Sequence, residues 1–350
     1  MANSKPKVLL VCNQGIHDAY IAPVDVQRLN NFATWEWFPC KDGSSLDDAQ
    51  TEKILEAISD IDGLVVSYGS PMISSEIMDA ALNLKIIGEL EDDRFASRID
   101  LEAAWKRGIC TVDTTNGSSY PVAEWALALI LISLRNAGAQ FRRIVAGRTT
   151  RDPDAFRYAG GLLSGKRVGL IGCGHMGRRL IKYLHPFETE IWVYDPYLPR
   201  EMAEALGFLQ TSLENVLSKC QVIVCLAPLT PKTRGMIGSH ELNLIPSGRV
   251  LVNVSRGAII DSEALVERLK RGDIIAGLDV FDPEPIPPDN EIIHLPNVFL
   301  TPHFAYFTGN QYRESFELMV DELDRFFHGH QTFFDLTPRS LANRQGIDPD

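Results

Sequence analysis

Short, almost unbroken apolar runs recur along this chain. Between them lie stretches whose apolar residues fall three and four positions apart. Runs of the first kind cover residues 7–12, 35–39, 63–67, 84–88 and 109–112, then 167–171, 191–194, 221–226, 249–254, 274–280 and 298–301. Such a run predicts a strand buried on both faces. The second spacing predicts helices over 15–31, 47–58, 74–82 and 100–107, then 178–185, 213–219, 239–244, 261–271 and 308–327. Ser74 and Ser75 are candidate caps for the helix at 74–82, and Asp261 for that at 261–271. Residues 120–148 read as one long helix, with Pro121 tolerated in its first turn. Its apolar positions are nearly continuous from Val122 to Leu134, so it should be buried on most sides. Strands alternating with helices imply an α/β protein built on parallel, doubly wound sheets. No repeat of solenoid period interrupts them.

One stretch, residues 166–195, adds chemistry to this pattern. A strand at 167–171 runs into Gly172-Cys173-Gly174-His175-Met176-Gly177, then a helix, then a strand ending on Asp195. Gly172 allows the tight turn, Gly174 lets a pyrophosphate approach the backbone, and Gly177 lets the helix pack on the strand. The helix N-terminus offers unpaired N–H groups and partial positive charge to phosphates. Asp195 sits where a carboxylate accepts hydrogen bonds from the adenosine ribose. Strand, glycine turn, helix and acid together predict a site for NAD.

Composition narrows the class. The 350 residues are 45% hydrophobic and 23% charged, ordinary for a soluble globular protein and enough for two cores. A net charge of −12 argues against nucleic acid or an anionic membrane as partner, though not against a small anionic substrate. The cysteines at 12, 40, 110, 173, 220 and 225 form no C-x-x-C pair and read as reduced thiols of a cytoplasmic protein. The apolar run at 8–12 is too short for a signal peptide, and that at 125–134 is short of a membrane span. His328 and His330 lack further ligands at useful spacing, so they read as a solvated helix end and no metal is expected.

Several later motifs carry a specific likeness. These are Ala227-Pro228-Leu229-Thr230-Pro231-Lys232-Thr233-Arg234, Asn253-Val254-Ser255-Arg256-Gly257, Leu278-Asp279-Val280-Phe281-Asp282-Pro283-Glu284-Pro285 and Leu300-Thr301-Pro302-His303. With the glycine loop and Asp195, in this order and spacing, the chain resembles the D-isomer-specific 2-hydroxyacid dehydrogenase family. The likeness is dense from about Val122 to His303 and looser outside. It implies a Rossmann NAD-binding domain (residues 118–305) inserted into a flavodoxin-like substrate domain (residues 1–117 and 306–350), with the active site in the cleft between them and a homodimer as the assembly. By resemblance the cofactor contacts are Gly172, Gly174, His175, Met176, Gly177, Asp195, Ala227, Pro228, Thr233, Val254, Ser255, Arg256, Asp279 and His303. Asp279 would match the acid beside the nicotinamide carboxamide.

Three residues can also be argued from chemistry. Oxidising a 2-hydroxy acid removes a hydroxyl proton and passes a hydride to nicotinamide. His303 suits the base. Arg256 suits the substrate carboxylate and carbonyl oxygen, since its planar fork binds bidentately. Glu284 suits the brace, since a carboxylate bonded to an imidazole fixes its tautomer and favours its protonated form. All three follow strand ends, where open α/β sheets place ligands. By resemblance they are the family's catalytic Arg, Glu and His.

Two departures bear on the substrate. Where the family carries a glycine-rich carboxylate loop, this chain reads Gly88-Glu89-Leu90-Glu91-Asp92-Asp93-Arg94-Phe95-Ala96-Ser97-Arg98. Where small residues usually follow the histidine, it has Phe304-Ala305-Tyr306-Phe307. Arg94 or Arg98 is then a candidate carboxylate clamp, the acids are candidate acceptors for the hydroxyls of a sugar acid, and Tyr306 is a candidate wall. The expected activity is NAD-dependent turnover of a 2-hydroxy or 2-keto acid. The alternatives are an NAD(H)-sensing binding protein of the same fold and a phosphite-type dehydrogenase.

Overall fold

In the computed structural model, which describes residues 5–41, 48–90, 96–150, 161–308, 313–345 and 347, the apolar runs pair side by side in two sheets. The chain divides into two compact units, Met1–Ser118 with Thr308–Asp350, and Ser119–Phe307.

In the first unit, β1 (Lys7–Asn13), β2 (Thr34–Cys40), β3 (Gly63–Val66), β4 (Ile86–Glu89) and β5 (Cys110–Asp113) pair in the order 2-1-3-4-5, all parallel. That is a flavodoxin-like order, with its switch point between β1 and β3. Alternate residues of β1 serve opposite faces. Val8, Leu10 and Cys12 join one core and Leu9 and Val11 the other. The connecting helices are α1 (Gln14–Tyr20), α2 (Pro23–Phe32), α3 (Asp48–Ala57), α4 (Ser75–Ala80) and α5 (Leu101–Lys106). The single helix expected over 15–31 is two. Ala22 precedes Pro23 and is extended (φ −87°, ψ 139°), which ends one helix before the next begins.

The second unit opens with α6 (Ser119–Leu134) and α7 (Ala137–Val145). Here too the expected long helix is broken, because Asn136 adopts the left-handed conformation at φ 44°. The turn lays Gly138 against Phe299, where even a Cβ would approach the ring at 2.6 Å. The apolar stretch Thr115–Leu134 spans 20 residues, longer than the run at 125–134, but half of its most apolar 18-residue window is buried in the protein.

There follow β6 (Arg167–Ile171), α8 (His175–Leu184), β7 (Glu190–Tyr194), α9 (Arg200–Leu206), β8 (Leu209–Gln210), α10 (Leu213–Lys219), β9 (Val222–Cys225), α11 (Ser239–Asn243), β10 (Val250–Asn253), α12 (Ser262–Lys270), β11 (Ile275–Leu278) and β12 (Val298–Leu300). The seven strands are parallel, in the order 12-11-10-9-6-7-8, with β6 between β7 and β9 as in a Rossmann sheet. The pattern had predicted neither α9 nor β8. β8 has two residues and no period to read, whereas Gly207 in the left-handed conformation was a legible stop for α9.

The chain then returns to the first unit through α13 (Arg313–Phe327) and α14 (Pro338–Gln345). Between them the chain runs beside β5. Asp113 N–H donates to Phe334 O, and Leu336 N–H to Thr111 O. Glu322 of α13 is fully buried, and its Oε2 accepts from Phe333 N–H (2.7 Å) and Phe334 N–H (2.9 Å).

Burial raises the Glu322 carboxyl above the ordinary 4.5, against the pull of those two donors. The folded chain therefore holds this proton more tightly than the unfolded chain. The stability this provides is full below the ordinary glutamate value and is lost as pH rises through the folded one. Glu322→Gln removes that dependence. The melting-temperature difference, wild type minus variant, should fall as pH rises above the ordinary glutamate value. A difference that stays flat would contradict this account of Glu322.

Candidate functional site

All seven strands described in the second unit end on one edge of the sheet, and the cofactor and catalytic residues singled out from the sequence lie in or beside the turns that leave it. After β6, Gly172 has φ +91°, and a Cβ there would lie 2.7 Å from Ala227 N. Only glycine fits both the dihedral and the approach of the β9 turn. Gly174 begins α8, and nothing lies within 4 Å of where its Cβ would stand. Gly177 packs against Gly172 O, 3.0 Å from its would-be Cβ. His175 is exposed and Met176 half-buried in the first turn of α8, whose leading N–H groups have no acceptor within the helix.

Asp195 leaves β7 and holds this loop. Its Oδ2 accepts from Cys173 N–H at 2.9 Å and its Oδ1 from Tyr197 N–H at 3.0 Å. Cys173 is buried, which pushes its thiol up to about 12, so it is a packed side chain and not a nucleophile. After β9, Ala227 and Pro228 are braced from two sides. Thr233 Oγ1 donates to Pro228 O at 2.6 Å, and Ser255 Oγ donates to Ala227 O. After β10, Val254 and Ser255 are buried, and Asn253 bridges the turn by accepting from Ser255 N–H and donating to Arg256 O. Arg256 is exposed, with Nη1 donating to Ser255 O at 2.8 Å.

His303 follows β12, and its Nδ1 lies 2.9 Å from Glu284 Oε2, each side chain about one-third exposed (33% and 34%). His303 has φ +51°, a conformation that side chains rarely adopt and histidine adopts more often than most. Asp279 maintains it. The Asp279 backbone O accepts from His303 N–H at 2.7 Å. Its buried carboxylate accepts from Thr301 Oγ1 (2.6 Å), Phe304 N–H (3.1 Å) and Ala305 N–H (3.1 Å). Burial raises the Asp279 carboxyl, while those donors pull it down. The motif located Asp279 without showing this bracing. Asn253 was also missed as a brace, although a polar residue closing an apolar strand was the available signal. The Tyr306 ring stands edge-on to the imidazole, with centroids 6.2 Å apart.

In the first unit, Arg98 pairs with Glu89, Nη1 to Oε1 at 3.0 Å. Arg94, Glu91, Asp92 and Asp93 lie outside the described residues. Among the described residues no group of three His, Cys, Asp or Glu side chains is placed to hold a metal ion.

Comparison with known proteins agrees with this geometry. The profile of the D-isomer specific 2-hydroxyacid dehydrogenase NAD-binding domain matches residues 127–305. The chain is 35% identical over 280 residues to a D-3-phosphoglycerate dehydrogenase of Methanocaldococcus jannaschii, covering 79% of this chain and 52% of that one. The chain thus spans about half the length of that relative. Identity is 31% over 304 residues to a glyoxylate reductase of Korarchaeum cryptofilum, covering 86% and 89%. A D-lactate dehydrogenase of Aquifex aeolicus, solved with NAD and lactic acid, superposes with a TM-score of 0.63 at 25% identity, covering 92% and 96%.

The glycine loop fits a nicotinamide dinucleotide. It has open space at Gly174, a helix N-terminus and an acid after the second strand. A methyl group at Gly174 touches nothing in the protein but stands where a pyrophosphate would approach. Gly174→Ala should therefore leave the melting temperature unchanged and weaken NADH binding by about tenfold or more, a loss of about 1.4 kcal/mol. Fluorescence titration measures it, and unchanged affinity would remove the pyrophosphate from this loop.

Proposed function

Because the chain belongs to the D-isomer specific 2-hydroxyacid dehydrogenase family, we propose that it is an NAD-dependent oxidoreductase interconverting a 2-hydroxy acid and its 2-keto acid. The observation that carries the reading is the His303–Glu284 pair, on the same sheet edge as the dinucleotide loop and the Arg256 turn. When bound, nicotinamide accepts a hydride from the 2-hydroxy acid or returns one to the keto acid.

The chain's own residues handle the rest. His303 donates Nδ1–H to Glu284, which directs Nε2 to the substrate oxygen. Nε2 takes the hydroxyl proton in oxidation and returns it in reduction. Arg256 binds the substrate carboxylate and polarises the carbonyl oxygen. Asp279, spent on the His303 turn, acts through that turn. The first unit serves as the substrate domain. Asp195 favours NAD, because its charge opposes a 2′-phosphate. The lost glycines of the 88–98 stretch favour a substrate larger than the simplest 2-hydroxy acids, a polyhydroxylated sugar acid, with Tyr306 as a wall beside the imidazole.

A screen of 2-keto acids with NADH and with NADPH tests the whole reading. Turnover should be faster with NADH, and better with sugar-derived keto acids than with glyoxylate or pyruvate. His303→Ala should lower kcat by about 10²–10⁴-fold with NADH binding intact. Arg256→Ala should lower kcat/KM, and Glu284→Gln, which keeps the shape and removes the charge, should lower kcat. NADH binding without turnover of any keto acid would instead mark a cofactor-sensing protein.

We infer likewise that two copies associate through α7. Phe141, Ile144 and Val145 are 68%, 61% and 71% exposed there. Light scattering should return twice the mass of the chain, and Phe141→Ser with Ile144→Ser should return one. A monomeric wild type would end this inference.

A further inference from the structure

Arg98 is held in the first unit on several sides. Its Nη1 meets Oε1 of Glu89 at 3.0 Å, and Glu89, the last residue of β4, is fully buried while Arg98 keeps 17% of its side chain exposed. Its Cζ lies 4.3 Å from the centroid of the Tyr68 ring, close enough for a cation–π contact, and Tyr68 is exposed. Its backbone is pinned, because Arg98 O accepts from Ile73 N–H at 2.7 Å and Ile73 bridges Ile99. Tyr68 follows β3 and Glu89 ends β4, neighbouring strands of a parallel sheet. The pair therefore stands at the C-terminal edge, where open α/β sheets bind ligands.

A buried ion pair is often replaceable by apolar residues with no loss of stability, whereas the pair itself holds the guanidinium in one orientation. A guanidinium fixed in this way presents a planar fork, and a fork meets a carboxylate with two parallel hydrogen bonds. We propose that Arg98 is a specificity-determining residue that binds the carboxylate of the substrate together with Arg256, with Glu89 and Tyr68 as its positioning residues. This rests on the reading of the first unit as the substrate domain of a 2-hydroxyacid dehydrogenase.

Two variants and two measurements test it. Glu89→Leu/Arg98→Met removes both charges together, and Arg98→Lys keeps the charge without the fork. The first measurement is kcat/KM for the best 2-keto acid of the screen against its methyl ester. The wild type should prefer the acid. Both variants should lose about tenfold or more of that preference, mainly through KM for the acid, with NADH affinity unchanged. An unchanged preference in either folded variant overturns the proposal, so a failure of the double variant to fold leaves Arg98→Lys to decide.

The second measurement needs no turnover. Oxalate, a dianionic mimic of a keto acid, should raise the melting temperature of the wild type and raise it less in the variants. Equal protection, or none in the wild type, overturns the role of Arg98. If the wild type reduces no 2-keto acid yet oxalate protects it and not the variants, the enzymatic reading fails while the carboxylate site stands.

Discussion

The carboxylate of Asp279 is the group on which the geometry of the His303 turn depends. It is wholly buried, and three donors from the turn after β12 converge on it while its backbone oxygen takes the N–H of His303. Holding a non-glycine residue in the left-handed conformation costs about 1–3 kcal/mol. Hydrogen bonds to a charged acceptor contribute about 1.5–3 kcal/mol each. Three of them outweigh the strain, so the turn has one shape. That shape delivers the imidazole to Glu284.

A second constraint collects the rest. Every strand pairing in both sheets is parallel, so the strand exits of each unit lie along one edge. Residues as distant in sequence as Gly172, Asp195, Arg256 and His303 reach a common edge without any local signal bringing them there. A brace between neighbouring turns, Ser255 to Ala227, and one within the β9 turn, Thr233 to Pro228, then fix their heights.

The sequence made some of this legible and hid the rest for physical reasons. Val168-Gly169-Leu170-Ile171 and Val222-Ile223-Val224-Cys225 are apolar at every position because both faces are covered, and a two-sided core is visible in one dimension. The break at Asn136 was hidden because the apolar pattern continues toward it, while the close approach of Gly138 to Phe299 that accompanies the turn is tertiary. The prolines around Glu284 and before His303 marked two loops, but their meeting at 2.9 Å is tertiary. Arg98 was visible as a charge in an acidic stretch. Nothing in the order of residues said that Glu89 turns inward to hold it.

Asp195 has a consequence for how such a protein can change over evolution or by engineering. Its two oxygens are already occupied by the N–H groups of Cys173 and Tyr197. An exchange to a neutral or basic residue, the simplest way to admit a phosphorylated ribose, would also release the amide inside the glycine turn. Under the proposed role of Asp195 at the ribose, cofactor preference and loop shape would be written in one side chain, and neither could be altered alone. A lineage moving from one dinucleotide to the other would have to pass through a loosened loop, or first acquire another acceptor for those amides. That coupling would make the cofactor choice harder to reverse than a single charge suggests.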